Sequence, residues 1–272
     1  LLKDLNASRP MIVTDKGVTA AGLLDIVTAA ISDAVTIGAL ADDVPPDSEL
    51  KVVNRLAGVY QAQRCDALIA LGGGSVLDTA KGVNIVVSEN AEDLMDFTGA
   101  GALKKQLNPL IAIPTTAGTG SEVTLVAVVA DHKKRRKMLF TSYFLQPDAA
   151  VLDPRMTLTL PPGITAFTAM DAISHAVEAY VCLAKNPLSD AAARSAISLI
   201  SGNLLDVLKD PANEQGRLSL AIGATLAGMA FSNSMVGMVH TLGHSVGALC
   251  GVPHGLCMAI LLPYGLEYNL HK

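Results

Sequence analysis

The chain has 272 residues, of which 50% are apolar and 17% are charged, a composition typical of a globular protein with a large core. The formal net charge of −5 argues against nucleic acids and membranes as partners, because nucleic acids and anionic membrane surfaces bind basic proteins. The four cysteines form no CxxC pair and the first residues do not resemble a signal peptide, so a cytoplasmic location is expected.

Short apolar runs alternate with segments of helical composition as far as residue 155. Buried strands are predicted at residues 10–15, 66–73, 109–116 and 125–131. Helices are predicted at residues 20–34 and 48–63. This alternation predicts a Rossmann-like α/β domain with a parallel, doubly wound sheet over residues 1–155.

A glycine loop with the sequence GGGS follows the second predicted strand, at residues 72–75. The N–H groups of a helix that starts there favour an anion such as a pyrophosphate, and glycine lets a ligand approach the backbone. The spacing is not GxGxxG, so for this loop alone a tight turn is an equally good interpretation. A second glycine-rich loop, at residues 115–120, follows the next strand. Ligands of open α/β sheets bind beyond the carboxyl ends of the strands, which favours a shared site.

Asp15 follows the first predicted strand. A carboxylate in this position accepts hydrogen bonds from a ribose diol and repels a 2′-phosphate, which favours NAD over NADP. The alternative for this residue is a helix N-cap, and the sequence supports both equally.

The strand pattern stops at a proline-rich segment, residues 153–163. Residues 156–272 are therefore predicted to form an all-α domain, and the acidic and histidine residues of this half of the chain predict that it is a metal-binding domain. From Leu218 to Val239 the chain carries no charge over 22 residues, which is long enough to span a bilayer. Its hydroxyl, amide and small side chains favour instead a helix packed inside this domain. Cys250 and Cys257 are interpreted as core residues.

Potential metal ligands are concentrated in the second half of the chain. Asp171 and His175 are four residues apart, so on a helix they share a face. His240, His244 and His254 follow within fifteen residues of one another. A single histidine in such apolar surroundings would be interpreted as a core residue, but this concentration favours a metal site. Imidazoles with one carboxylate suit Fe(II) or Zn(II), and the spacing does not decide whether His240 or His244 is the ligand.

These motifs together resemble the iron-containing (group III) alcohol dehydrogenase family. The matching segments, in chain order, are GGGSVLDTAK, IPTTAGTGSEVT, DPRMTLTLPP, MDAISHAVEAY and HTLGHSVGALCGVPHGLCMAILLP. The resemblance covers nearly the whole chain. Family members are longer, which implies that the second domain is incomplete at its C-terminus.

The resemblance implies a role for each matching residue. The metal ligands would be Asp171, His175, His240 and His254. His244 would lie near the nicotinamide and on the proton path, as the catalytic residue. The cofactor contacts would be Asp15, Gly73, Gly74, Ser75, Asp78, Thr115, Thr116, Thr119, Thr124, Val128 and Lys137. The family fold, a nucleotide-binding α/β domain followed by a helical domain with the active site between them, agrees with the two halves predicted above.

The activity that the resemblance implies is reversible, metal-dependent hydride transfer between a small primary alcohol or diol and NAD. The cofactors would be NAD and Fe(II), with Zn(II) as the alternative metal, and the protein would be a homodimer or a larger homo-oligomer. Two other functions are considered. One is a glycerol or polyol dehydrogenase of the same superfamily, and the other is a non-catalytic assembly module of a larger bifunctional enzyme.

Overall fold

The computed structural model describes residues 1–31, 35–132, 134 and 136–270. The chain divides into two compact units, one of Leu1–Thr115 and Ser121–Val151, the other of Thr116–Gly120 and Leu152–Lys272. The functional division predicted after residue 155 stays a prediction.

The strands and helices follow one another in chain order. The strands are β1 (Pro10–Val13), β2 (Ala39–Ala41), β3 (Ala67–Gly72), β4 (Gly99–Ala100), β5 (Leu110–Pro114), β6 (Val126–Asp131), β7 (Arg136–Thr141) and β8 (Ala149–Ala150). The helices of the first unit are α1 (Lys16–Ala20), α2 (Leu23–Ala30), α3 (Leu50–Ala62) and α4 (Gly74–Glu89). Those of the second are α5 (Pro162–Val181), α6 (Pro187–Lys209), α7 (Glu214–Ser232), α8 (Met238–Cys250) and α9 (His254–Asn269).

A parallel sheet forms the centre of the first unit, in the order β2-β1-β3-β5-β8. Every residue of β1, β3 and β5 is buried, as expected for strands that are covered on both faces. The register pairs Val13 with Ala70 and Gly72 with Pro114, so the carboxyl ends of the three strands lie at one edge. The predicted α/β class with a parallel sheet is confirmed.

One predicted strand lies outside this sheet. β6 pairs antiparallel with β7, and with β4 they form a separate three-stranded sheet. The run at residues 125–131 is apolar in either setting, so its composition does not reveal its partner strand.

Over the described part of residues 20–34, the structure does not contain the single helix that the sequence predicted. Gly22, with φ at 76°, separates α1 from α2, and α2 ends at Ala30. Residues 32–34 of the prediction lie outside the described residues.

Asp66 joins the segments that lead into β1 and β3. Its carboxylate accepts hydrogen bonds from the backbone N–H and hydroxyl of Ser8 and from the N–H of Arg9, each at 2.8 Å. Burial alone would raise the pKa of Asp66, but these donors lower it below its ordinary value of 3.8.

We expect Asp66→Asn to lower the free energy of unfolding by about 1 kcal/mol near neutral pH. Because the folded pKa is depressed, this stabilisation is present above the unfolded pKa and is lost as pH falls through the folded value. Urea unfolding of both proteins, followed by circular dichroism from about pH 7 to about pH 2.5, measures the difference. A difference that persists undiminished at the acid end would contradict the assignment.

The second unit is helical, and its core consists largely of alanine. Ala169, Ala172 and Ala176 of α5 pack in one cluster with buried side chains of α6 and α7. A Cβ at Gly223 of α7 would lie 2.5 Å from Cγ1 of Ile200 on α6, so the small residues allow the close approach. The mostly helical second half is as predicted.

The uncharged stretch at residues 218–239 is not one helix. α7 ends at Ser232, and α8 begins at Met238, after five intervening residues that end with Gly237. Within the described residues, no helix is long and apolar enough to cross a membrane.

Candidate metal and cofactor sites

One face of α5 carries three titratable side chains. Asp171, His175 and Glu178 follow at helical spacing, and all three are buried. α5 starts with Pro162 in its first turn, where a missing N–H costs no hydrogen bond. Burying this set unpaired would cost several kcal/mol, so the groups need partners.

His240 and His254 meet Asp171 at a common point. Their Nε2 atoms lie 3.5 Å and 3.3 Å from Oδ1 of Asp171. One ligand atom from each of the three residues lies within 4.8 Å of the others, a grouping that could hold a metal ion. His240 is the second residue after the start of α8 and His254 is the first residue of α9, so two helix starts converge on α5.

His175 lies beside this group rather than within it. Its ring stacks on His240, with centroids 4.2 Å apart, and on Phe231 at 4.4 Å. Its Nδ1 atom is 3.9 Å from Oδ2 of Asp171. The structure therefore brings three of the four predicted ligands into one grouping and places the fourth against it.

His244 and Cys250 differ from the sequence prediction. Both are exposed, whereas apolar neighbours predicted an unsolvated ring and a core cysteine. His244 lies one turn beyond His240 on α8, with its ring centroid 5.9 Å from that of His240 and 4.9 Å from that of His254. Cys257 is buried with Val239 as predicted.

The carboxylates and imidazoles of this cluster shift one another's pKa values. Burial alone would raise the pKa of Asp171, but the surrounding imidazoles hold it well below its ordinary value. Burial lowers the pKa of His175 to about 3, so this ring is neutral. Burial would also lower the pKa of His240, but the carboxylates of Asp171 and Glu178 outweigh it and raise the pKa to about 9.

The donor set fits a divalent cation. Three buried atoms of the described cluster have no hydrogen-bond partner, namely Oδ1 of Asp171, Nδ1 of His175 and Nε2 of His240. A cation would satisfy such atoms, and nitrogen ligands with one carboxylate suit Fe(II) or Zn(II). Because His240 must give up its Nε2 proton to become a ligand, binding is coupled to proton release.

Glu178 is a residue of this site that sequence reasoning missed. Its carboxylate accepts a hydrogen bond from Nδ1–H of His240. The available signal was its position seven residues after Asp171, on the same helical face.

Asp15 and the glycine loop lie at the carboxyl edge of the parallel sheet. Asp15 caps α1, with Oδ1 accepting from the N–H of Val18 at 3.0 Å, so the N-cap interpretation is confirmed and the ribose role stays a prediction. Gly73 is the N-cap of α4 and Gly74 is its first residue. A Cβ at Gly72 would lie 2.5 Å from Cγ2 of Val76, so the tight turn requires glycine there.

Two further predicted cofactor residues are connected through Asp47. The backbone N–H of Asp47 donates to the Ser75 hydroxyl at 3.1 Å. Its carboxylate forms an ion pair with Lys137 at 2.9 Å, with both side chains about half exposed. Asp47 is a second residue that the sequence did not reveal.

Asp78 and Thr124 are held by buried polar contacts. Asp78 accepts from the Ser121 hydroxyl at 2.8 Å and from the N–H of Val128 at 3.0 Å. The buried ammonium of Lys81 donates to the carbonyl and hydroxyl of Thr124, at 2.8 Å and 3.1 Å. These contacts order the strand that carries Val128.

The predicted threonines separate between the two units. Thr115 belongs to the first unit and donates its N–H to the carbonyl of Gly72 at 3.0 Å. Thr116 and Thr119 belong to the second. Their roles in cofactor binding stay predictions.

Comparison with known proteins identifies the family. The profile described as "Iron-containing alcohol dehydrogenase" matches residues 1–154, and that described as "Fe-containing alcohol dehydrogenase family, C-terminal" matches residues 165–272. Alcohol dehydrogenase 4 of Schizosaccharomyces pombe is 38% identical over 95% of this chain and 61% of its own length. The NAD-dependent methanol dehydrogenase of Bacillus methanolicus is 36% identical over 99% of this chain and 70% of its own length.

A solved structure agrees with these matches. The crystal structure of a 1,3-propanediol oxidoreductase superposes with a TM-score of 0.95 at 37% identity, over 99% of this chain and 70% of that one. The chain thus spans 61–70% of the length of these relatives. The profiles, the identities and the fold agree, and the chain belongs to the iron-containing alcohol dehydrogenase family.

Proposed function

We propose that the protein transfers a hydride reversibly between a small primary alcohol or diol and NAD, with a divalent cation held by Asp171, His175, His240 and His254. The observation that carries this proposal is the approach of two histidine Nε2 atoms, from buried His240 and half-buried His254, to Oδ1 of the buried Asp171. Fe(II) is the proposed metal because of the family, and Zn(II) is the alternative because imidazole ligands suit both metals.

Asp171, His175 and His244 would have different roles in this reaction. When bound, the cation would supply Lewis acidity and NAD would supply the hydride acceptor. Asp171 offsets part of the cation's charge, and the neutral ring of His175 adds a nitrogen donor. His244, exposed beside His254, is placed to pass a proton to solvent.

Relatives support the choice of substrate class. The Bacillus methanolicus protein is named for NAD and methanol, and the solved relative for 1,3-propanediol. Both are small primary alcohols or diols, which favours this class over glycerol. Asp15 and Lys137 are proposed as contacts to the adenosine ribose and the cofactor. Gly73, Gly74, Ser75, Asp78, Thr115, Thr116, Thr119, Thr124 and Val128 complete the proposed cofactor site.

An absorbance assay tests the proposal. Anaerobically prepared protein is mixed with NAD, with Fe(II) or Zn(II), and with a panel of two- to four-carbon alcohols and diols. Growth of NADH absorbance that requires the metal is expected, and a preference for glycerol would favour the polyol alternative. If NADH absorbance does not increase with any metal or alcohol, the proposed activity is rejected and the non-catalytic assembly module is favoured.

Asp15 gives a second test, on cofactor choice. We expect Asp15→Asn to lower the KM for NADP by about tenfold, because loss of one like charge near the 2′-phosphate removes about 1–2 kcal/mol of repulsion. Asparagine retains the cap acceptor for Val18, so α1 is preserved. Steady-state kinetics with each cofactor measure the ratio of the KM values for NAD and NADP. An unchanged ratio in Asp15→Asn would show that Asp15 does not contact the cofactor.

We also propose a cytoplasmic location and a homodimeric or larger assembly. The described cysteines are all free, as is usual in a reducing compartment. Light scattering after size-exclusion chromatography tests the assembly, and a monomeric mass would reject it.

A further inference from the structure

Glu178 contacts both the first turn of α8 and the imidazole ring of His240, beside the proposed metal site. It lies on α5, and it contacts the first turn of α8 across 62 residues of sequence. Its oxygens accept the backbone N–H of Val239 at 2.6 Å and that of His240 at 3.2 Å. The N-cap of α8, Gly237, has no side chain to serve these donors, so the cap comes from another helix.

The same carboxylate also contacts the ring of His240. Nδ1–H of His240 donates to Oε2 of Glu178, while Nε2 faces Asp171 at 3.5 Å. An imidazole whose Nδ1 carries the proton presents the Nε2 lone pair, and this is the nitrogen that lies in the group with Asp171 and His254.

We propose that Glu178 is a positioning residue that docks the first turn of α8 and fixes His240 with Nε2 directed at the metal. The inference rests on the proposed function, since it assumes that His240 is a ligand. Carboxylates that hold the second nitrogen of a ligating histidine typically affect metal affinity 10- to 100-fold when they are lost.

The surroundings of Glu178 are shaped for this contact. A Cβ at Gly237 would lie 3.0 Å from Oε1 of Glu178, so the turn before α8 passes close to the carboxylate. Both oxygens are used as acceptors, one by Val239 and the other by His240. An amide of the same size has a single acceptor oxygen, so it must present an NH₂ group to one of these donors.

Glu178→Gln therefore separates capping from ring orientation. Zn(II) affinity is measured by competition with a chelator, and the Nδ1–H proton of His240 is followed by NMR in Zn(II)-loaded, ¹⁵N-histidine-labelled protein. We expect affinity to fall by about 10- to 100-fold and the proton resonance to move upfield or to exchange with solvent. Its assignment comes from its loss in His240→Asn.

Glu214→Gln is the matched control, because Glu214 is an exposed carboxylate in the first turn of α7. It should leave both readouts unchanged. If Glu178 only caps α8, Glu178→Gln will lower Tm while affinity and resonance stay as in the wild type, which overturns the inference alone. A wild type that binds no Zn(II) overturns the proposed function as well. If Glu178→Gln does not fold, Glu178→Asp is measured against the same criteria.

Discussion

Asp171→Asn is expected to reduce metal-dependent turnover by at least about a thousandfold, because the Lewis acidity of a bound cation contributes several kcal/mol to such reactions. The side chain keeps its size but loses the charge that faces His240 at 3.5 Å and His254 at 3.3 Å. Metal content, measured by elemental analysis of protein purified without oxygen, should fall together with turnover.

Asp206→Asn is the control for this substitution. Asp206 is an exposed carboxylate on α6 and forms an ion pair with Lys209 at 3.3 Å, which is worth little. Turnover and metal content should match the wild type. An Asp171→Asn protein that retains full metal content and full activity would refute the proposed site.

Lys81→Met should be the most destabilising of the substitutions in the first unit. The ammonium of Lys81 donates to the carbonyl and hydroxyl of Thr124 and to the carbonyl of Val126. Burial lowers its pKa to about 8, while Asp78 and Glu122 oppose the shift, so the group is charged at neutral pH. Methionine leaves the carbonyls of Thr124 and Val126 without this donor and removes the positive charge that most lowers the pKa of Asp78. Removing a buried charge near one of opposite sign costs about 3–5 kcal/mol, and urea unfolding should show a loss of this size.

Cofactor affinity should fall in the same variant, because Thr124 is among the proposed cofactor contacts. Lys51→Met is the control, since Lys51 pairs with Glu49 at 3.0 Å but is three-quarters exposed. It should unfold within about 0.5 kcal/mol of the wild type. If Lys81→Met and Lys51→Met lose equal stability, the buried ammonium of Lys81 does not stabilise the segment that contains Thr124 and Val126.

The central sheet was predictable from local sequence. β1, β3 and β5 are continuous apolar runs followed by turn residues, and strands covered on both faces require this composition. The same run in β6 occurs in a different sheet with an antiparallel partner. The choice of partner depends on contacts far along the chain, which local composition does not contain.

The metal site was also only partly predictable from the sequence. The four-residue spacing of Asp171 and His175 predicts a shared helical face, and the family resemblance chooses His240 over His244. Helical periodicity places His240 and His244 on the same side of α8, yet one is buried and the other exposed. The tertiary structure makes the difference: the first turn of α8, with His240, is held against α5 by Glu178, whereas His244 lies one turn further along.

The sequence by itself therefore determined the class of fold, the family and the chemical types of the candidate ligands, since these follow from composition, periodicity and short motifs. Only the tertiary structure decided which nitrogen atoms approach Asp171 and which carboxylate contacts the second nitrogen of His240. These groups come from α5, α8 and α9, and their distances depend on how the helices pack.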